Sequence, residues 1–524
     1  MASSAFLQDG PLVIAIDSST TSTKAIVVDA AGNVWHTAKR NIQLHTPAMD
    51  EYEHTPSRWW DTSRDTIAEV ASKLSARDRE RVKAIGITHQ RESFAPFTAD
   101  GTPLRQGILW LDSRAASQIE RYGSAHIHEL SGKPAGVTPA LYKMAWVKEN
   151  EPGVLEGADK VSDVLAYITF NLTGRWAAST ASADSLGILD IQKFDYADEL
   201  LDIAGVRRDQ MPDLVPPGGV MGTLKPELAA EWGLSASTPI ISGLGDGQAA
   251  GVGAAAVTPD VAYLNLGTAV NAGVASHKYV YDPVFRTLVG GVPGDYVFEV
   301  VQSSGSYLAG WFRETLGDPK LLRAPHPELD RAASEIPPGC EGLITLPYWN
   351  AVQSPYWDAI ARGAVVGWRG THSRAHMYRS ILESIGFEMK LNLESIEAGT
   401  GTKIATLRAM GGGTRSKLWR QIMADTAGVP ITLCAEDEIS ALGAAVVAMA
   451  GIGAHGSGGV EQSAREMAHF GITVEPDMAL HEQYKDVAAA QRKLYPQLRD
   501  IFHELYQLAI RYPSSRPESP QAEL

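Results

Sequence analysis

Cysteine is nearly absent: Cys340 and Cys434 are the two in a chain of 524 residues. That excludes a disulfide scaffold, and with no Cys or His neighbour at ligand spacing it also excludes a structural zinc site. Positive charge is in deficit, with 46 Lys and Arg against 61 Asp and Glu and a net charge of −15. Such a chain has no electrostatic footprint for a nucleic-acid backbone or an anionic lipid surface. A small anion remains admissible, because a local pocket of backbone N–H groups binds one whatever the global charge. Long apolar runs are missing too. The run 12–16 is far shorter than a signal-peptide core, and no basic segment precedes it. The most apolar later stretch, 239–257, contains Asp246 and many glycines, so it cannot span a bilayer. The expectation is a cytoplasmic chain with neither a nucleic-acid nor a membrane partner.

What is abundant is glycine, 49 residues gathered in discrete clusters. At about 100–200 residues per domain, the length calls for two large or three modest domains. Residues 12–16, 25–29 and 34–40 read as three strands of a β-meander with a turn at 30–33. The spacing of Trp59, Ile67, Val70 and Leu74 predicts a helix over 56–74, capped near Thr55 or Ser57. Residues 82–88 and 107–111 add strands. The plan restarts near residue 239, with strands over 238–242, 261–266, 270–276 and 407–410. Strand followed by a Gly- or Thr-rich turn thus occurs in both halves, which indicates an α/β layer fold from a diverged duplication. The division falls at about residue 255, inside a Gly/Ala helix over 248–257, giving domains 1–254 and 255–524. Pro496 should kink or split the helical stretch 480–508. That stretch serves core packing, with a homodimer contact as its alternative use. The Pro- and Ser-rich tail 512–524 is expected to be disordered.

Four loops carry candidate chemistry. Asp17-Ser18-Ser19-Thr20-Thr21-Ser22-Thr23-Lys24 joins two apolar runs. A turn this rich in hydroxyls offers N–H and O–H donors to phosphate oxygens, and an Asp at the strand end holds Mg²⁺ through water. The bland alternative is a solvated Ser/Thr turn, and the Walker A spacing is absent. Gly243-Leu244-Gly245-Asp246-Gly247 places a carboxylate on a turn that opens a helix, where it accepts a proton from a hydroxyl or simply caps the helix. Gly267-Thr268 and Gly411-Gly412-Gly413-Thr414 let backbone approach a ligand closely, or form plain tight turns. No G-x-G-x-x-G follows the first strand, which excludes a dinucleotide-binding dehydrogenase.

In this order the loops resemble those of the FGGY family of carbohydrate kinases, within the actin and hexokinase type ATPase superfamily. Asp17–Lys24 resembles the first phosphate motif, with Ser18 where Gly is usual. Residues 264–269 resemble the second, with Ala269 where Ser is common. Gly411 to Thr414, with Ser416, Trp419 and Asp425, resembles the adenosine motif. Lys143 to Asn150 resembles one family signature. Gly363 to Trp368, followed by His376, Met377 and residues 380–383, resembles another, with Trp368 at a usually aliphatic position. The resemblance runs from about Val13 to about Gly453. It implies two duplicated ribonuclease-H-like domains around a central cleft, with ATP and Mg²⁺ as cofactors. It makes Asp246 the catalytic base, and Asp17 with Asp246 the metal carboxylates. Thr20, Thr21, Ser22, Lys24, Gly267 and Thr268 would meet the phosphates, and Gly411, Gly412, Gly413 and Ser416 the nucleoside end.

For the acceptor, Gln90, Arg91 and Glu92 follow the strand over 82–88. An Arg-Glu pair there grips vicinal hydroxyls, with Trp110 as an apolar wall, unless the pair is only a structural salt bridge. Gln-Arg-Glu resembles the loop of glycerol kinases, whereas many xylulokinases carry Gln-Met-His-Gly. Two positions pull away from glycerol: Thr138 stands where glycerol kinases have a substrate-contacting Tyr, and the run 179–184 departs from theirs. The resemblance therefore implies ATP-dependent phosphorylation of a sugar or polyol, a ketopentose such as D-xylulose first and glycerol second. A non-catalytic actin-type nucleotide-binding module is the remaining alternative, and the presence of Asp246 speaks against it.

Overall fold

Residues 12–16 are apolar without interruption because the strand they form is covered on both faces. The computed structural model describes residues 10–317, 327–349 and 351–512. It places β1 (Leu12–Ser18) inside a six-stranded sheet. Leu12, Ile14 and Ile16 join Trp59, Ile67 and Val70 of helix α1 (Ser57–Ser72) in one core. Val13 and Ala15 join another core, with Ala444, Val447 and Ala448 from far later in the chain. The period-two alternation of one strand thus builds two cores.

Strands β2 (Ser22–Asp29) and β3 (Val34–Asn41) continue antiparallel from β1 as the expected meander. On the other side, β4 (Val82–His89) lies parallel to β1. After β5 (Val220–Thr223), β6 (Pro239–Gly245) lies parallel to β4. The spatial order is β5-β6-β4-β1-β2-β3. The second sheet repeats the plan. β7 (Val261–Leu266) pairs antiparallel with β8 (Val270–Ser276), and β9 (Arg286–Val289) is an added edge strand on β10 (Tyr296–Gln302), which itself pairs with β8. β11 (Thr406–Met410) is parallel to β7, β12 (Ile431–Cys434) is parallel to β11, and β13 (Phe470–Val474) closes the edge antiparallel. Each sheet contains a three-strand meander, two parallel strands and an antiparallel edge, with β9 as a seventh strand in the second. The fold is α/β, with two ribonuclease-H-like halves around a cleft.

Helices tie the halves together. Lys143 lies on α2 (Ala140–Asn150), and α3 (Asp246–Gly253) starts where β6 ends. Beyond α4 (Arg374–Thr400) and α5 (Lys417–Ala427), helix α6 (Ile439–Gly451) packs on β1 and β4 of the first sheet as well as on α3. Gly443 faces the carbonyl of Ala249 and Gly253 faces that of Ile439, with no room for a side-chain carbon at either glycine. α3 and α6 therefore cross in backbone contact.

Three local expectations are corrected. The helix over 56–74 starts at Ser57 with Pro56 at its N-cap and no side-chain cap, and Thr55 instead pairs with His45. The strand over 107–111 shrinks to Gly107–Ile108, in a separate four-stranded sheet with Glu53–His54, Phe94–Phe97 and Lys160–Asp163. Past Ile108 the chain turns, with the Leu109 N–H donating to the Tyr52 carbonyl at 3.1 Å. The helix over 248–257 is α3, which stops at Gly253 and is followed by Ala255 at φ 50°. Pro496 acts as expected. α7 (Met478–Gln491) ends before it, and it sits in the first turn of α8 (Leu494–Arg511), where its missing N–H breaks no bond. Tyr484, Tyr495 and Phe502 of this stretch are buried, while Ile501, Leu505 and Leu508 are exposed. Cys340 and Cys434 are not disulfide-bonded. Among the described residues no helix is long and apolar enough to cross a membrane. The tail expected to be disordered lies, past Tyr512, outside the described residues.

Candidate active site

Sheet register brings the first set of candidates together. Ser18 and Gly245 both stand level with His89, so the C-terminal ends of β1, β4 and β6 share one edge. Asp17, the loop Gln90-Arg91-Glu92 and Asp246 all belong to that edge, where open α/β sheets bind ligands.

Asp246 opens α3 with its side chain 41% exposed, and its Oδ1 lies 3.0 Å from Nε of Arg91. The Gly247 N–H donates to the same oxygen at 2.8 Å, and the Ser440 hydroxyl, from α6, donates to the Asp246 carbonyl at 3.2 Å. This is a carboxylate fixed through one oxygen and reachable from solvent. Asp17 differs: its Oδ1 is buried without a hydrogen-bond partner. Burial and the charge of Asp246 push its pKa up to about 7, against the pull of Lys24. A partnerless carboxylate oxygen near a second carboxylate is a situation that a hydrated divalent cation relieves. Among the described residues no three His, Cys, Asp or Glu gather into an all-protein cage. Mg²⁺ held largely by phosphates and water needs only one or two carboxylates, so Asp17 and Asp246 fit it.

The hydroxyl-rich turn is closed by Ser19, whose N–H and Oγ both donate to the Ser22 carbonyl, at 2.9 and 2.7 Å. Thr20 donates to Gln90 Oε1 at 3.2 Å and accepts from Trp110 Nε1 at 2.9 Å, and Thr21 is exposed. Ser22 is buried, and the Lys24 ammonium already has a partner, Glu438, at 2.5 Å. In the second half, the Gly305 N–H donates to the Thr268 carbonyl and that of Ser306 to the Gly267 carbonyl, leaving the Thr268 side chain exposed. Gly411 has φ +89°, and a Cβ there would fall 2.6 Å from Asn265 Oδ1, so only glycine lets the loops after β7 and β11 touch. Gly412 is exposed and Gly413 lies against Trp419. Ser416 serves as N-cap of α5, accepting from the Trp419 N–H at 3.1 Å and donating to Asp330 at 2.6 Å.

Near the residues expected to meet an acceptor, Lys143 is fully buried and its ammonium donates to the carbonyls of Trp110, Val137 and Thr138 at 3.1, 3.0 and 2.9 Å. Burial pulls its pKa down to about 7. This one side chain draws the half-exposed Trp110 and Thr138 segments together. Gln90 is buried beside His54. Arg91 and Glu92 are also buried, and each is paired to a residue of the second half. Arg91 Nη1 lies 3.2 Å from Glu299, and Arg286 Nη1 lies 2.9 Å from Glu92. Arg286 Nε also donates to Glu299 at 2.7 Å, and the Tyr263 hydroxyl does so at 2.6 Å. Burial opposes the charge of Glu299, but the two guanidiniums outweigh it and hold the carboxyl at about 2.

Sequence reasoning missed Arg286 and Glu299. The available signal was Glu299 itself, the one charge in the otherwise apolar strand Tyr296–Gln302. It also missed Asp184, within the run 179–184, which accepts from the Val289 N–H at 2.9 Å and pairs with Lys133 at 3.2 Å. A chain of His89, Ser182 and Asp163 has the residue types of a nucleophile relay. It is wholly buried.

The model of the FGGY family of carbohydrate kinases, N-terminal domain, matches residues 12–253, and that of the C-terminal domain matches 262–452. A glycerol kinase of Nitratidesulfovibrio vulgaris is 30% identical over 499 residues, 92% of this chain and 97% of that protein. A xylulose kinase of Escherichia coli is 27% identical over 504 residues, 95% and 99% of the two chains. The crystal structure of a xylulose kinase from Rhodospirillum rubrum superposes with a TM-score of 0.87 at 28% identity, covering 94% of this chain and all of that one (100%). The two family models fall in order on the residues of the two large sheets, and the chain belongs to the FGGY family of carbohydrate kinases.

Proposed function

We propose that the chain transfers the γ-phosphoryl group of ATP to a hydroxyl of a ketopentose, D-xylulose foremost. The observation that carries this reading is Asp246, a solvent-reachable carboxylate held by Arg91 on the same sheet edge as Asp17. The acceptor oxygen bonds to the γ-phosphorus as the bond to the β,γ-bridging oxygen breaks and ADP leaves, and the hydroxyl proton passes to Asp246. Asp17 and Asp246 would hold Mg²⁺, which supplies charge neutralisation for the phosphates when bound. The turn from Asp17 to Lys24 and the loops at Gly267 and Gly411 are the proposed nucleotide contacts. Thr20 serves as a hinge between phosphate and acceptor sides, since it bonds to both Gln90 and Trp110.

Two features favour an acceptor larger than glycerol. Thr138, tied to Trp110 through the Lys143 ammonium, is smaller than the Tyr that stands there in glycerol kinases. The charges of Arg91 and Glu92 are also already matched by Glu299 and Arg286, so a three-carbon substrate has few free partners there. The E. coli and R. rubrum xylulose kinases support the same choice. Glycerol is the second reading, favoured by the resemblance of the residue types Gln90-Arg91-Glu92 to the glycerol kinase loop and by the N. vulgaris relative. A coupled ADP-release assay over D-xylulose, D- and L-ribulose, erythritol, gluconate and glycerol decides. D-Xylulose should give the highest kcat/KM, and a higher value for glycerol would replace the first reading by the second.

A further inference from the structure

Arg91 occupies a slot made for it. A Cβ at Gly245 would fall 2.6 Å from Arg91 Cδ, and one at Gly247 would fall 2.8 Å from Nη2 and 2.7 Å from Glu299 Oε2. In that slot the guanidinium divides its donors. Nε faces Asp246 at 3.0 Å, while Nη1 faces both oxygens of Glu299 at 3.2 Å and Gln248 at 3.5 Å. Glu299 is in turn immobilised from three directions, by Arg91, by Arg286 and by the Tyr263 hydroxyl, and is fully buried on β10.

We infer that Glu299 is a positioning residue for phosphoryl transfer: it anchors the Arg91 guanidinium so that only its Nε side meets Asp246, at the same oxygen that the Gly247 N–H holds, leaving the other carboxylate oxygen for the acceptor's proton. The inference rests on the reading of Asp246 as the base. Arginine prefers to meet a carboxylate with two parallel bonds. Asp246 is the exposed, adjustable partner and Glu299 the buried, fixed one. With Glu299 ionised, its two oxygens hold Nη1 and keep the fork from turning face-on to Asp246. Without that charge, the fork turns to Asp246, engages both of its oxygens and removes the proton acceptor. Glu299 belongs to the second half and Asp246 to the start of α3, so this bond also makes the base's geometry depend on how the halves meet. A purely structural tie between the halves predicts something else: loss of folded protein, with normal turnover in what remains.

The test is a double-mutant cycle on kcat, measured with ATP and D-xylulose, or with glycerol should the acceptor panel select it. Glu299→Gln should lower kcat about 30-fold per folded enzyme with KM for ATP within about twofold of the parent. In the Asp246→Asn background the same change should alter residual kcat less than about twofold, because its effect runs through Asp246. Tyr263→Phe removes one donor to Glu299 without changing charge or volume, and should give about a fivefold loss with the same non-additivity, also where Glu299→Gln fails to fold. Equal losses in both backgrounds, or parental kcat in folded Glu299→Gln with Asp246→Asn inactive, would overturn the positioning role alone. Parental turnover in Asp246→Asn would overturn the base assignment and this inference with it.

Discussion

Nζ of Lys24 lies 2.5 Å from Oε2 of Glu438, joining the strand after the hydroxyl-rich turn to the residue just before α6. Both side chains are about a quarter exposed, so the pair contributes about 1 kcal/mol or less to stability. On the proposed reading of the Asp17–Lys24 turn as a phosphate contact, its larger effect is to fix that turn against the start of α6. Lys24→Met and Glu438→Gln should each raise KM for ATP about threefold, and the double variant no more than the worse single one. Steady-state kinetics on the four proteins checks this, and additive effects would show that Lys24 acts on the phosphates independently of Glu438.

Asp17 makes stability depend on pH in a stated direction. Its folded value of about 7 lies above the ordinary 3.8, so between these values the folded state binds the extra proton. The stabilisation from this group is therefore full at low pH and is lost as pH rises through about 7. Asp17→Asn, which cannot ionise, should melt at a higher temperature than the parent above about pH 7, with the difference closing toward pH 4. Mg²⁺ with nucleotide should raise the melting temperature of the parent and much less that of the variant. Thermal melts at pH 4, 6 and 8 read both effects.

Lys143 gathers three backbone carbonyls, and removing it leaves all three without their donor. Lys143→Met should cost about 1–3 kcal/mol of stability. Because the carbonyls belong to Trp110, Val137 and Thr138, it should also raise KM for the acceptor at least about tenfold while leaving KM for ATP nearly unchanged. Equal changes in both constants would remove Lys143 from the acceptor side.

Much of this was legible along the chain, and the reason is locality. The apolar run 12–16, the hydroxyl turn, the glycine loops and Pro496 each fix backbone within a few residues, and each carries its own signature. The acceptor loop was legible only in part. Gln90, Arg91 and Glu92 do follow the strand over 82–88, yet their charged partners lie elsewhere: Glu299 is 208 residues from Arg91, and Arg286 is 194 from Glu92. Periodicity and spacing carry no record of such pairs. The same holds for Gly245 and Gly247, which read as turn residues and act as the walls of the Arg91 slot. Ser416 was read only as a nucleoside contact, and the structure adds that it caps α5.

Thr138 gives the acceptor assignment its own test. Placing a Tyr there should add bulk to the segment that Lys143 ties to Trp110. Thr138→Tyr should lower kcat/KM for D-xylulose at least about tenfold, with a much smaller loss or a gain for glycerol. Parallel losses for both acceptors would mean that residue 138 does not select between them.

The central claim is that Asp246 receives the acceptor's proton and bears on the nucleotide only indirectly, through the Mg²⁺ it would share with Asp17. Measuring kcat and the ATP dissociation constant of Asp246→Asn, on protein shown to be folded, tests it most directly. The account predicts a loss of kcat of about 10²–10⁴-fold with ATP affinity within a few-fold of the parent. Turnover within about tenfold of the parent would contradict it.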